Sequence, residues 1–131
     1  METQTRFYHV WFATKGRRWL LRGDVEEFIK LLLQCIALEK QIGLLKYKTV
    51  VDHVHMLLEL RQDQSLSEAI NLLKGISARQ VFLKFPDIKL DAHTNHFWQK
   101  RYGARLVAPA NVGAVWDYIH TQKEHMEKFD R

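Results

Sequence analysis

The sequence predicts an α+β domain: a four-stranded antiparallel sheet with two helices on one face, plus a C-terminal helix. Three observations carry this. Apolar periodicity runs in the order strand, helix, strand, strand, helix, strand, helix, which is the split βαβ pattern with one added helix. The apolar and β-branched stretch 44–60 is too long for one strand and must fold back on itself. Finally, 131 residues with 47% hydrophobic and 27% charged side chains suit a single globular domain, read as 1–131. The arrangement is ferredoxin-like and RRM-like, and it leaves the second face of the sheet for a ligand, a partner or the last helix.

The first strand is expected over 7–14, FYHVWFAT, where aromatic and β-branched residues stop at Lys15 and Gly16. Asp24 with Glu27 makes a capping-box-like start, and Val25, Phe28, Ile29, Leu32, Ile36 and Leu38 recur at helical spacing. This predicts a helix over 24–42 closed by Gly43. Cys35, among Leu31, Leu32, Leu33 and Ile36, is expected in its core face. The 44–60 hairpin should turn near Val51 and Asp52. Ser65 and Glu68 form a second capping box, opening a helix that carries Leu66, Ala69, Ile70, Leu73 and Ile76 and reaches its limit at Phe85, before Pro86. Residues 87–96 show no period and read as loop. Residues 97–107 read as the fourth strand, with Gly103 marking a bend or a close approach. After Pro109, Asn111 is placed to cap a last helix bearing Val112, Val115, Ile119, Met126 and Phe129.

Twenty Lys and Arg against fifteen Asp and Glu give a net charge of +5, a lean toward an anionic partner. Their distribution says more than their sum. Lys15, Arg17, Arg18 and Arg22 follow the first strand, Lys74, Arg79 and Lys84 share a helix, and Lys100, Arg101 and Arg105 sit among Trp98 and Tyr102. Basic residues interleaved with aromatics suit a nucleic-acid strand, since phosphates need charge and unpaired bases need flat partners. The plain alternative is a solvated positive surface. No apolar run is long enough to span a bilayer, and METQTRFYHVWF lacks the layout of a secretory signal, so no membrane partner and a cytoplasmic location are expected. A single cysteine excludes an intrachain disulfide. No GxxxxGK[ST] phosphate loop occurs, in keeping with no nucleotide cofactor.

The chemistry-bearing stretch is VVDHVHMLLEL. In a strand, His53 and His55 share one face while Val54 and Met56 take the other. Two such imidazoles either pack with ordinary partners or converge on a divalent metal. In the last helix, VWDYIHTQKEH places Tyr118 and Gln122 one turn apart, with His125 close behind. Gln122 interrupts the apolar stripe between Ile119 and Met126, so its amide needs a partner, either a metal or a hydrogen-bonding group.

Taken together, YHVWFATKGRRWLL, VDHVHMLLEL, SLSEAINLLKGISAR, HFWQKRYG and YIHTQ, in this order, resemble the single-tyrosine HUH transposases of single-strand insertion sequences and their REP-associated tyrosine transposase relatives. Val51 stands where many members have Pro, and ARLVAPANVG replaces a stretch that is usually small and polar. The resemblance implies a DNA transposase that cuts and rejoins single-stranded DNA at hairpin-marked element ends by metal-assisted transesterification. It implies Tyr118 on the C-terminal helix as the nucleophile of a 5′-phosphotyrosine intermediate, Mg²⁺ or Mn²⁺ held by His53, His55 and Gln122, and a homodimer with active sites shared in trans. His125 and His120 are both available by sequence to activate Tyr118. Lys74, Arg79, Lys100, Arg101 and Arg105 are candidate DNA phosphate contacts by charge and position. The competing reading is a non-catalytic single-stranded nucleic-acid-binding protein on the same scaffold, which has no need of His53, His55, Tyr118 and Gln122 together.

Overall fold

Alternation along two neighbouring strands organises the chain. In the computed structural model, which describes residues 4–92 and 96–121, β1 (Thr5–Ala13) pairs antiparallel with β3 (His53–Arg61). Val10 and Phe12 of β1, and Val54, Met56, Leu58 and Leu60 of β3, are buried on one face. They meet Ile29, Leu33, Ile36 and Ala37 of α1 (Gly23–Glu39) and Ala69, Ile70, Leu73 and Val81 of α2 (Leu66–Lys84). Each fully buried aliphatic side chain contributes about 1.5–3 kcal/mol relative to exposure. The opposite face carries His9, Trp11, His53, His55 and Leu57, because side chains in a strand change sides at every residue.

β2 (Gly43–Val50) adds beside β3, and β4 (Gly103–Val107) beside β1, giving the order β2-β3-β1-β4 with every neighbouring pair antiparallel. This is the expected split βαβ sheet, with the turn between β2 and β3 at Val51 and Asp52. The last helix, α4 (Val112–His120), covers part of the second face. Its Ile119 is buried with Leu57 and Val107, and Val112 and Val115 pack on them together with Phe7. Met126 and Phe129 lie outside the described residues.

Several local expectations give way to tertiary structure. No Asp24 cap forms: Arg22 occupies the N-cap of α1, without a side-chain capping bond. The helix stops at Glu39, and the left-handed residue that turns the chain is Gln41, at φ 58°. Gly43 serves instead at the β2–β3 contact, where a Cβ would fall 2.7 Å from the Glu59 carbonyl oxygen. Cys35 is exposed, because the buried stripe of α1 runs through Ile29, Leu33, Ile36 and Ala37 and leaves position 35 on the outer side. Ser65 does cap α2, its Oγ accepting from the Glu68 N–H at 3.3 Å, and α2 ends before Phe85 as expected. Part of the 87–96 stretch is helical, in α3 (Pro86–Ala92), a proline at the first position being compatible with a helix start.

The fourth strand is shorter than expected. Before β4 the chain pairs just past the end of β1 through an isolated bridge between Thr14 and Trp98, and Phe97 and Trp98 enter the core, Trp98 edge-on to Phe12 of β1. Trp98 Nε1 donates to Ser77 Oγ at 2.8 Å, satisfying two buried polar groups at once. Gly103 allows a close approach, but by a side chain: a Cβ there would lie 2.0 Å from the Trp11 indole. Gly103→Ala must displace that ring. It is expected to lower stability by about 1–3 kcal/mol, the usual cost of overpacking, in urea denaturation, whereas Gly75→Ala on α2, with open space around its Cβ, should not destabilise.

Candidate active site

His53 and His55 begin β3 and lie on the face opposite the main core, both buried. Their rings stand 4.9 Å apart between centroids, nearly perpendicular at 75°. Each uses Nδ1 backward. His53 Nδ1 is 2.7 Å from Asp52 Oδ1, and His55 Nδ1 is 2.9 Å from Nε2 of His9, a residue of β1. Asp52 is shared in turn: its Oδ2 accepts from Arg17 Nε at 3.0 Å. The Nε2 atoms of His53 and His55 make no hydrogen bond among the described residues.

Charge follows this geometry. Burial, and then the neighbouring His53 and His9, push the His55 imidazole down to about 3. His9 is likewise held below the ordinary imidazole value, by burial first and then by the Arg105 guanidinium. For Asp52, burial works to raise the carboxyl, but hydrogen bonds from His53 and Arg17 outweigh it and hold it below the usual carboxylate value. The result at neutral pH is a neutral His55 beside an ionised Asp52.

Imidazoles with Nδ1 engaged and Nε2 available form a donor set that suits a divalent cation, and a carboxylate behind a ligating histidine is a common support for one. Among the described residues no group of three His, Cys, Asp or Glu is placed to hold a metal. A third protein ligand is therefore of another kind or comes from elsewhere; Gln122, and His125 with it, lie outside the described residues.

Tyr118 lies on α4, with its ring 6.4 Å from that of His55 and 5.8 Å from that of His9, edge-on to both. The packing of Ile119, Val115 and Val112 on the sheet brings it there. His120, the other histidine of this helix, stacks on Trp116 at 6.1 Å instead. Two pockets flank the site. One of about 380 Å³ is lined by His53, His55, Arg17, Arg101 and Tyr102 among others, and one of about 420 Å³ by His9, Trp11, Arg105 and Tyr118 among others. A larger one, about 810 Å³, lies between α1 and β2 with His120 of α4 in its lining, and none of His9, His53, His55 or Tyr118 lines it.

The five basic candidates separate in space. Arg101 and Arg105 stand at the two pockets beside the histidines and Tyr118. Lys100 and Lys74 line a different pocket with Phe97 and Trp98. Lys74 turns its ammonium to the carbonyls of Gln99, Lys100 and Arg101, and burial holds its pKa below the usual lysine value. Arg79 is exposed on α2 and lines none of these pockets. Three site residues escaped the motif reading: His9, Asp52 and Arg17. Asp52 precedes His53 in the motif itself, while His9 in FYHVWF was visible only as a polar interruption of an aromatic strand.

His55 gives the site a pH signature. Its folded value, about 3, lies below the ordinary 6.5, so the unfolded chain binds a proton more readily between those limits. Stability contributed by neutral His55 is complete above the unfolded value and is lost as pH falls toward the folded one. Urea denaturation should show declining stability on acidification below about pH 6.5, and a shallower decline in His55→Gln.

The sequence and the fold match known proteins. Residues 3–122 fit the family model described as Transposase IS200 like. The ISDra2 transposase TnpA of Deinococcus radiodurans is 28% identical over 117 residues, covering 89% of this chain and 84% of that protein. The transposase for insertion sequence element IS200 of Salmonella typhimurium is 32% identical over 117 residues, covering 89% and 76%. A crystal structure of a candidate transposase from Deinococcus radiodurans R1 superposes with a TM-score of 0.76 at 28% identity, over 92% of this chain and 93% of that one. The REP-associated tyrosine transposase bound to a REP hairpin shares the fold, with a TM-score of 0.68 at 12% identity over 96% and 72%. A family model spanning residues 3–122, reinforced by relatives matched along most of their length, places this chain in the IS200-like transposase family.

Proposed function

We propose that the protein cuts and rejoins single-stranded DNA at hairpin-marked element ends by transesterification through Tyr118. The observation that carries the reading is the placement of Tyr118, edge-on to His55 and to His9. Its phenolic oxygen attacks the scissile phosphorus, the bond from phosphorus to the 3′ oxygen breaks, and the 3′-hydroxyl leaves with a proton. The 5′ phosphate stays on Tyr118. Rejoining reverses this: a 3′-hydroxyl attacks the phosphotyrosine and the phenol departs, so the energy of the phosphodiester is kept and no nucleotide is consumed.

A free tyrosine titrates near pH 10, so the phenol must lose its proton as it attacks. His53 and His55, with Gln122, are the residues that would hold Mg²⁺ or Mn²⁺, and the bound ion would polarise the phosphoryl oxygens. Arg101 and Arg105 would bind phosphates on either side of the cut, a role supported by their places in the lining of the two flanking pockets. Arg79 and Lys100 would act farther along the strand, whereas the Lys74 ammonium, committed to three backbone carbonyls, would hold the 99–101 segment in place and not bind phosphate directly. The REP hairpin named with the structural relative supports a hairpin as the DNA feature recognised.

Tyr118→Phe removes one oxygen at an exposed position. It should abolish the covalent adduct with single-stranded DNA carrying the hairpin, while the hairpin Kd changes less than about threefold, because binding rests on phosphate and base contacts elsewhere. A persistent adduct would assign the nucleophile to another residue. Retained binding with no adduct in the wild type would instead favour a non-catalytic binder.

The proposal extends to a homodimer whose subunits exchange α4, each Tyr118 completing the partner's histidine site. Within one chain α4 rests on its own sheet, and exchange between two copies would use the same contacts. Mixing Tyr118→Phe subunits with His53→Ala, His55→Ala subunits tests this. Exchange in trans should restore cleavage to about a quarter of wild type, since about half the dimers are mixed and one of their two sites is intact. Completion in cis restores none.

A further inference from the structure

A third imidazole stands behind the histidine pair, and the chemistry above gives it no task. His9 is buried on β1, on the same face as Trp11, where an aliphatic residue would pack without needing a polar partner. Its Nε2 lies 2.9 Å from His55 Nδ1, and the two rings are 5.2 Å apart, tilted by 32°. The same ring meets Tyr118 at 5.8 Å and Trp11 at 4.9 Å. His9 therefore touches both a candidate metal ligand and the candidate nucleophile.

The hydrogen bond has a direction that matters. Two neutral imidazoles sharing one contact have one donor and one acceptor. With Nδ1 engaged by His9, the only nitrogen His55 can offer a cation is Nε2, whose lone pair is free only when the proton sits on Nδ1. His55 must then donate and His9 Nε2 must accept. In the reverse arrangement His55 would present an N–H toward the cation and could not bind it.

We infer that His9 is a positioning residue: by accepting from His55 Nδ1 it fixes the ring and the tautomer that present Nε2 to a divalent cation, while its edge contact seats Tyr118. This rests on the metal reading of His53 and His55. It makes the support of the two histidines unequal, since His53 leans on the carboxylate of Asp52 and His55 on a neutral ring. Both supports set orientation, but only the first adds negative charge behind its ligand.

The test uses the full chain as wild type, His9→Leu and His9→Gln. Leucine fills the space without an acceptor, whereas glutamine can return an acceptor oxygen near the position of Nε2. Nitrogen-15 imidazole spectra of the metal-free protein should show His55 protonated on Nδ1 in wild type and in His9→Gln, and shifted toward the Nε2–H form in His9→Leu. Titration with Mn²⁺ alone should show affinity about 10–100-fold weaker in His9→Leu, the usual effect of removing a support behind a ligand, and largely recovered in His9→Gln. The inference is overturned by an Nε2–H His55 in wild type, by unchanged Mn²⁺ affinity in His9→Leu, or by equal losses in both variants, which would make His9 a packing residue. If wild type binds no Mn²⁺, the metal reading fails on its own account. The wild-type spectrum then decides separately whether His9 holds the His55 ring, and it does so even if His9→Leu does not fold.

Discussion

The register between β1 and β3 is the constraint on which the rest of the molecule depends. Val10 opposite Met56 and Phe12 opposite Val54 look toward α1 and α2, while Trp11 opposite His55 and Ala13 opposite His53 look the other way. A slip of one residue would drive the histidines into the apolar core and lift Val54 and Met56 out of it. The free energy that buries the core therefore also aims the imidazoles. No separate device is needed to converge them: the same alternation that hides methyl groups presents ring nitrogens.

The polar face is costly to build, and its hydrogen bonds show how the cost is met. Asp52, His53, His55 and His9 are all buried, and each has a partner within 3.0 Å. Removing Asp52, His55 or His9 would leave a histidine unsatisfied in a medium of low dielectric, which is more damaging than losing an exposed pair. The outermost member, Arg17, is more than half exposed, so its ion pair adds little stability. Its effect is geometric: it ties the turn after β1 to the carboxylate that supports His53. The backbone bond from Thr14 N–H to the Asp52 carbonyl at 2.8 Å reinforces the same junction.

Tyr118 reaches this cluster by a different route. α4 is short, and its hold on the sheet is a small apolar cluster of Leu57, Val107 and Ile119 with Phe7, Val112 and Val115. Leu57 belongs to the same strand face as His55, two residues earlier, so the strand that carries the histidines also carries the seat for the tyrosine helix. Lys46 over the Trp116 ring at 4.4 Å adds a contact between α4 and the edge strand β2.

Periodicity in the sequence determined by itself the order of the four strands and of α1, α2 and α4, though not α3, together with the sheet class, the hairpin turn at Val51 and Asp52, and the shared face of His53 and His55. All of these depend on repeats of two or three to four residues and on local capping chemistry. The single sequence also carried the family resemblance through the order of its motifs. What it could not determine depended on distant neighbours. Cys35 looked apolar in its local company, but the direction of the α1 stripe was set by which side met the sheet. Gly43 looked like a helix stop, yet it is there because Glu59 comes too close for a Cβ, and the close approach that Gly103 could signal is made by the Trp11 ring, a partner its own surroundings in sequence do not name. His9 became part of the site only when β1 lay against β3, since residues 46 apart in sequence share no local period. Tertiary structure decided the contacts between strands, because hydrogen bonding across a sheet joins residues by register and leaves no trace in their spacing along the chain.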